Sequence, residues 1–235
     1  MMAALADKAA ADTILTLGAE DFVADCAGAL WWDAAATLVV SDLHLEKGSS
    51  FATRGQFLPP YDTGVTLAAL AALIARYRPR RVVALGDSFH DGAGPARMAE
   101  DDRAVLAGLQ RGVDWLWIAG NHDPDLSGAL AGSHADSLDE AGIAFIHEPS
   151  LRPTGPEIAG HLHPCAKIRG RGRAVRRRAF VHDGQRLIMP AMGTYAGGLN
   201  LRDPAISRLF PEGLSVLMLG DDRVYAVGHG QCWPD

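Results

Sequence analysis

The chain has 235 residues, of which 48% are apolar and 21% charged, and this composition excludes disordered and fibrous proteins. The length suits one α+β domain, so we expect a single domain over residues 1–235. The formal net charge of −6 excludes a protein that coats nucleic acid through its overall field.

The N-terminal stretch predicts neither a secretion signal nor a membrane anchor. Charged residues interrupt its alanines, and no run of the chain reaches the roughly 18 apolar residues of a membrane span. We expect residues 1–14 to be loosely ordered. Three cysteines at wide and irregular spacings make neither a disulfide framework nor a CxxC metal knuckle. These features predict a cytoplasmic protein with no membrane partner.

Short runs rich in β-branched and aromatic residues predict strands along the chain. In the first half they alternate with two predicted helices, 63–77 and 95–109. In the second half, apolar runs are broken at 183–184 and 220–222 by Asp-Gly and Gly-Asp-Asp turns, which predict antiparallel hairpins. The pattern predicts an α+β fold with two β-sheets between helices, an α/β/β/α sandwich. The predicted strands cover 29–32, 37–40, 81–85, 115–119, 143–147 and 157–163.

Polar side chains stand at the ends of five of these strands. They are carboxylates, imidazoles and an amide without cysteine, a mixed set that Mn, Fe, Zn or Co accepts. Alternate residues of an extended strand point the same way, so we expect Asp42 and His44 to reach one ion together, and His161 and His163 likewise. The residues are Asp42, His44, Asp87, Asn121, His122, Asp123, His147, His161 and His163.

Five sequence blocks, SDLHL, LGD, GNHD, a later histidine and GHLH, together resemble the signature of the calcineurin-like metallophosphoesterases. The resemblance runs from about residue 27 to the C-terminus. It implies two mixed β-sheets flanked by helices, and phosphoester hydrolysis with two divalent ions. It also implies that one ion is held by Asp42, His44 and His163, the other by Asn121, His147 and His161, with Asp87 bridging both.

Within that family the chain is most similar to the ligase-associated DNA-damage-response endonucleases, the PdeM subgroup. The similarity rests on SDLHLEKGSSFATRGQFLPPYDT, LGDSFHD, GNHDPDL, HEP and GHLHP. It implies a manganese-dependent phosphodiesterase that cuts single-stranded DNA. The carboxylate and imidazole ligands leave Fe, Zn, Co or Mg open as alternatives. The similarity further implies a functional association with a repair helicase and an ATP-dependent DNA ligase.

His122 stands beside a predicted ligand but resembles the family's non-ligand histidine. We therefore expect it to contact the phosphate and to protonate the leaving oxygen, with Asp123 orienting its ring. A structural capping role is the alternative for His122. Asn121 is expected to contact substrate as well as metal, and His90 is either a further substrate contact or a solvated side chain.

Residues 167–178 concentrate seven positive charges and no acid in a chain of negative net charge. Because the segment follows GHLH directly, we expect its first basic residues to contact phosphates that flank the scissile bond. Those residues are Lys167, Arg169 and Arg171. The alternative is a solvated loop.

Two further groups of residues are expected to be structural. Trp31, Trp32, Trp115 and Trp117 lie in strand-like runs, which predicts burial in the core rather than a role as base-stacking platforms. Cys165 is expected to be a packed free thiol, because the nitrogen and oxygen ligands already complete both sites.

Two other functions stay open on the sequence. The same dinuclear core suits a phosphodiesterase or pyrophosphatase that acts on nucleotides or cyclic nucleotides. Phosphoprotein substrates fit less well, because the phosphoprotein phosphatases of the family carry GDxVDRG, whereas this chain has GDSFHDG and lacks that arginine. Lipid A precursors also fit less well, because the pyrophosphohydrolases that act on them show GNRD and HGD where this chain has GNHD and HEP. The alternative of another class is a non-catalytic scaffold, which should lack the ligands that this chain retains. The sequence sets no oligomeric state.

Overall fold

The computed structural model describes residues 14–170 and 172–235. Two mixed β-sheets face each other, and helices lie on their outer faces, which confirms the predicted architecture. Residues 1–13, most of the stretch predicted to be loosely ordered, lie outside the described residues, and so does Arg171, one of the predicted phosphate contacts.

The first sheet has seven strands that lie side by side in chain order. The first four pair antiparallel, and the fourth to the seventh pair parallel. Parallel strands bring their carboxyl ends to one edge of a sheet. The strands are β1 (Ile14–Leu17), β2 (Glu20–Ala24), β3 (Leu30–Trp32), β4 (Thr37–Val40), β5 (Arg81–Leu85), β6 (Asp114–Ile118) and β7 (Ser133–Ala135).

The second sheet has eight strands, β8 (Ser137–Glu140), β9 (Ile143–Ile146), β10 (Glu157–Ala159), β11 (Cys165–Gly170), β12 (Arg173–His182), β13 (Arg186–Ile188), β14 (Ser215–Leu219) and β15 (Val224–Val227). Their order is β15-β14-β12-β13-β10-β9-β8, and β11 pairs with β12. Strands β9, β10 and β13 are parallel neighbours. The two predicted hairpins are confirmed as β12–β13 and β14–β15. The basic segment forms a third hairpin, β11–β12, and not an irregular loop.

Apolar side chains fill one layer between the sheets and one on each outer face. Alternation along β4 shows how the layers arise, because Val39 faces the other sheet while Leu38 and Val40 face the helices. The tryptophans predicted to be core residues are all buried, namely Trp31, Trp32, Trp115 and Trp117. Cys165 is a buried free thiol, as predicted.

The outer faces carry the helices α1 (Lys47–Thr53), α2 (Asp62–Tyr77), α3 (Gly94–Arg97), α4 (Glu100–Gln110) and α5 (Pro204–Ser207), and a 3₁₀ turn at His229–Gln231. The helices α2 and α4 cover the first sheet, whereas the second sheet has only the short α5 and its flanking loop. Within residues 14–170 and 172–235, no helix is long and apolar enough to cross a membrane.

The prediction of a single helix over 95–109 is wrong, because the helix is interrupted between α3 and α4. Met98 has an extended backbone (ψ 130°) and a buried side chain. The guanidinium of Arg103 donates to the carbonyls of Pro95 and Met98, at 2.7 and 3.3 Å. The side chain thus satisfies carbonyls that a continuous helix would have paired with backbone amides.

Candidate metal centre

The predicted ligands converge where the carboxyl ends of the parallel strands of both sheets meet. Among the described residues, three sets of side chains have candidate ligand atoms within 4.8 Å of one another, and one of them, His44, His90 and His122, includes only one predicted ligand. The other two sets, which we call groups, contain six of the seven predicted ligands. One group is Asp42, His44 and His163, and the other is Asp87, His147 and His161. Each group therefore combines residues from both sheets.

In the first group, Nε2 of His163 lies 3.1 Å from Oδ1 of Asp42 and 3.3 Å from Nε2 of His44. The same His44 nitrogen lies 3.9 Å from Oδ2 of Asp87, which belongs to the second group. Asp42 and Asp87 are 0% and 2% exposed, so the carboxylates form the floor of the site.

In the second group, three atoms surround Nε2 of His147. They are Oδ1 of Asn121 at 3.0 Å, Nδ1 of His161 at 3.3 Å and Oδ1 of Asp87 at 3.4 Å. The other ring nitrogen, Nδ1, donates to the carbonyl of Leu85 at 2.9 Å. That bond orients the ring and directs Nε2 into the site. Asp87 contacts both groups through its two oxygens.

Burial and neighbouring charges shift the pKa values of the site residues in different directions. Burial lowers the pKa of His44 to about 3, against the opposing effect of nearby carboxylates. Burial raises the pKa of Asp87, but the hydrogen bond and charge of His147 outweigh it and bring it to about 2. At neutral pH, His44 is neutral and Asp87 is ionised, the forms in which they bind metal. Burial lowers the pKa of His147, but its hydrogen bond to Asp87 and the charges of Asp42 and Asp87 outweigh burial and raise it to about 9. A metal ion bound at Nε2 of His147 would have to displace a proton.

The backbone of the predicted ligands is not extended, so the expected strand geometry is wrong. Strands β4 and β10 end at Val40 and Ala159, before the polar residues begin. Because the backbone turns at each ligand, His161 and His163 join different groups instead of sharing one. Left-handed φ angles occur at Asp42 (52°), His44 (44°), Asp87 (46°), His161 (67°) and His163 (46°).

Glycines allow chain segments to approach closely at the site, Gly160 between the two sheets and Gly120 between neighbouring strand ends of the first sheet. A Cβ atom on Gly160 would collide with Oγ of Ser41 and would lie 2.5 Å from Oδ2 of Asp42. A Cβ atom on Gly120 would collide with the backbone nitrogen of Asp87. Neither glycine has a positive φ, so close approach, and not backbone freedom, is what requires glycine at these positions.

The structure corrects the role expected for Asp123. Its buried carboxylate accepts a hydrogen bond from the amide of Phe89 at 2.8 Å. Nδ1 of His122 instead donates to the carbonyl of His90 at 2.8 Å, and Nε2 lies 3.9 Å from Oδ2 of Asp87. The backbone of His90, rather than Asp123, therefore orients the His122 ring. Burial raises the pKa of Asp123 to about 7.

His90 lies beside the site with its ring close to two other imidazoles. The centroid of the His90 ring lies 5.1 Å from that of His122 and 5.7 Å from that of His44. Asn121 and His122 are exposed at the rim, while the carboxylates below them are buried. A ligand that enters from solvent would therefore meet the amide and the imidazole of the rim first.

The donor set fits divalent cations. Imidazole nitrogens face each other at 3.3 Å in two places, His44 with His163 and His147 with His161. Two nitrogen lone pairs at this separation need a proton or a cation between them, and Nδ1 of His44 is buried without a hydrogen-bond partner among the described residues. Cations would also offset the two buried carboxylates, and the nitrogen and oxygen atoms suit Mn, Fe, Zn or Co.

The basic hairpin begins next to the site and extends from it. Lys167 lies on β11 with Nζ 3.9 Å from Oδ1 of Asp235, and the guanidinium of Arg169 lies 4.6 Å from the ring centroid of Trp233. Arg178, at the base of the hairpin, donates to the carbonyl of Ala191 and is structural. The distal part of β11 is exposed at Arg169.

Sequence reasoning missed the groups that hold the ligands in place. The hydroxyl of Ser41 donates to Oδ2 of Asp42 at 2.6 Å, and the amide of His161 donates to the same oxygen at 3.0 Å. Ser41 was visible in the SDLHL block, but the carbonyls of Leu85 and His90 leave no signal in a sequence because every residue has one.

Comparisons with known proteins relate the chain to one family and to two solved structures. Residues 36–185 match the family described as calcineurin-like phosphoesterase. The chain is similar to the solved structure of nuclease MPE from Pseudomonas putida, with 26% identity and a TM-score of 0.71, over 91% of this chain and 98% of that one. Yfce, a phosphoesterase from E. coli, has 17% identity and a TM-score of 0.39 over 83% and 94% of the two chains. No curated protein matches the chain in sequence.

We predict that Gly160→Ala weakens metal binding by about 10- to 100-fold, the usual effect of disturbing the groups that support a metal ligand. The added Cβ displaces Ser41 and Asp42. Isothermal titration with Mn²⁺ measures the change. Gly230→Ala is the control, since a Cβ there meets nothing within 4 Å. Equal affinities in the two variants would contradict the prediction.

Proposed function

Because the chain belongs to the calcineurin-like phosphoesterase family, we propose that it is a manganese-dependent phosphodiesterase that cuts single-stranded DNA internally during DNA repair. Membership confirms the family predicted from the five sequence blocks, and with it an enzyme that hydrolyses phosphoester bonds rather than a non-catalytic scaffold. The observation that carries the proposal is the pair of ligand groups joined by Asp87 beneath an exposed rim. The similarity to a bacterial nuclease supports a nucleic-acid substrate.

The metal ligands we propose follow the two groups. Asp87 serves both ions, through the oxygens that face His44 and His147. When bound, the ions would act as Lewis acids on the phosphate and lower the pKa of an attacking water. Asn121 has a second proposed role besides metal binding, because its exposed side-chain amide can also contact the phosphate. One ion is assigned to Asp42, His44 and His163, and the other to Asn121, His147 and His161.

His122 is the proposed general acid. Its Nδ1 is committed to the carbonyl of His90, so Nε2 is the atom that faces the site and can carry the transferred proton. A protonated Nε2 would donate to the phosphate and then to the leaving oxygen. Asp123 supports this histidine indirectly, because its carboxylate fixes the loop that includes Phe89 and His90. His90 is proposed as a substrate contact at the rim.

A polynucleotide substrate fits the surroundings of the site better than an isolated nucleotide does. The basic hairpin offers Lys167 and Arg169 along one continuous strand, and further phosphates on a chain would follow it. A cyclic mononucleotide has a single phosphate, so it offers none to the hairpin when that phosphate lies at the metal centre. A helicase and a DNA ligase remain the proposed functional associates, on the subgroup resemblance.

We predict metal-dependent cleavage of a closed circle of single-stranded DNA, strongest with Mn²⁺. A circle has no ends, so linear products show internal cutting. Purified protein should be assayed with Mn²⁺, Mg²⁺, Zn²⁺ or chelator on this circle, on duplex DNA, on a cyclic dinucleotide and on bis(p-nitrophenyl) phosphate. Asp87→Asn should be inactive on all of them, because it removes charge from both ion sites. Hydrolysis of the small esters with intact circles would sink the endonuclease assignment.

We predict that His122→Ala lowers kcat on DNA by about 10²- to 10⁴-fold, the usual contribution of a general acid. The decrease on bis(p-nitrophenyl) phosphate should be much smaller, because p-nitrophenolate leaves without protonation. His229→Ala, on the C-terminal 3₁₀ turn, is the control. A decrease that is equal on both substrates would favour the structural role for His122.

We predict that the double variant Lys167→Ala, Arg169→Ala reduces the salt dependence of binding to single-stranded DNA. For each phosphate that these cations neutralise, the slope of log K against log salt should fall by about 0.7. Fluorescence anisotropy at several salt concentrations measures the slope. Arg111→Ala removes an exposed cation at the end of α4 and is the control. An unchanged slope in the double variant would show that the hairpin binds no phosphate.

A further inference from the structure

The loop between α1 and α2 carries an exposed apolar patch beside the candidate active site. Phe57 is 85% exposed and Tyr61 is 66% exposed, and Pro59 and Pro60 between them are exposed as well. Large exposed apolar side chains grouped within one short loop mark a binding site more often than singly scattered ones do. We call the side chains of Phe57 and Tyr61 the aromatic platform.

A row of rings leads from the metal centre to Phe51, at the start of the chain segment that carries the platform. The ring centroid of Phe51, in α1, lies 5.5 Å from that of His90, which in turn lies 5.1 Å from that of His122. The amide of Gln56 donates to the carbonyl of Phe51 at 3.0 Å, so the chain turns back at this point just before Phe57. The platform therefore starts from the same rim as His90 and His122.

Hydrogen bonds hold the loop in a fixed place relative to the predicted ligands. The hydroxyl of Tyr195 donates to the carbonyl of Pro59 at 3.0 Å, and Nζ of Lys47 donates to the carbonyl of Tyr195 at 3.0 Å. Two residues before Tyr195, the amide of Gly193 donates to the carbonyl of Asp42 at 3.0 Å. Phe57 thus projects to solvent from a positioned support.

The charges around the platform are complementary to a polyanion. Arg54 is exposed at the start of the loop, and Lys47 is half-buried beneath it. Nζ of Lys47 lies 5.9 Å from the ring centroid of Phe51, and that ring neighbours His90, so this cation lies near the rim. Asp62, the acid that follows Tyr61, is buried and accepts a hydrogen bond from the amide of Gly48.

We propose that Phe57 and Tyr61 stack on unpaired bases of the nucleic acid whose phosphate lies at the metal centre, with Arg54 on the adjoining backbone. The inference rests on the proposed function and adds to it the residues that select single strands. Stacking on a protein ring needs an exposed base face, which a duplex does not offer along its length. Cations and aromatic rings in one surface are the combination that binds single strands without sequence preference.

The test compares Phe57→Ala, Phe57→Leu and Phe57→Tyr for binding to labelled oligothymidylate by anisotropy with metal chelated. We expect Ala and Leu to weaken binding about 5- to 150-fold, the range for removal of one base–aromatic stack, and Tyr to retain it. In the presence of metal, Phe57→Ala and Phe57→Leu should lower kcat/KM for single-stranded DNA by a similar factor, relative to kcat/KM for bis(p-nitrophenyl) phosphate. Val105→Ala, which trims an exposed apolar residue of α4, is the control.

A fluorescent base analogue identifies which base of the oligonucleotide stacks on the aromatic platform. With 2-aminopurine at successive positions of the oligonucleotide, one position should be quenched by the wild type and by Phe57→Tyr, and not by Phe57→Ala. If the three Phe57 variants bind and cut like wild type, the platform is overturned while the endonuclease assignment stands. If wild type hydrolyses the aryl diester but neither binds nor cuts single strands, the proposed function fails first. Thermal denaturation of each variant shows that it is folded.

Discussion

The burial of two carboxylates at the junction of the sheets is the constraint on which the rest of the site depends. Asp42 and Asp87 have almost no access to water, so their charges require donors or cations supplied by the protein. The donors come largely from the other sheet, through the amide of His161 and the ring of His147. Polar contacts therefore join the sheet edges here, whereas apolar layers join the sheets elsewhere.

The strand-forming runs and the residue types of the site could be predicted from the sequence, because both are local patterns, but the end of β10 could not, since it stops at Ala159 and not at residue 163. The division of His161 and His163 between two groups could not, because it depends on left-handed backbone at non-glycine residues. Such angles cost about 1–3 kcal/mol each and persist only where the surrounding structure imposes them. The hydrogen bond from His122 to the carbonyl of His90 could not be predicted either, because every residue has a carbonyl, whereas the neighbouring Asp123 carries a side chain that can accept from an imidazole.

Burial separates the aromatic residues of this chain into two kinds that composition does not distinguish. Four tryptophans lie in strands and fill the layers on either side of the first sheet, namely Trp31, Trp32, Trp115 and Trp117. Phe57 has no such periodicity, because it lies among Gly, Gln and Pro residues in a loop, and its exposure depends on how that loop is held by residues far along the chain. The same holds for the basic hairpin. Its run of positive charges could be read from the sequence, but the ion pairs of Lys167 and Arg176 with Asp235 at the C-terminus could not.

The composition of the two ligand groups also determines when the enzyme can become active during its synthesis. Asp42 and His161, and likewise His44 and His163, are 119 residues apart, so neither group exists until the ribosome has released residues beyond β10. A nascent chain that ends earlier has the first sheet and its carboxylates but lacks an imidazole of each group. Truncated or still-growing chains are thereby unable to assemble the centre, and a hydrolytic activity toward nucleic acid would arise only in molecules that have paired both halves.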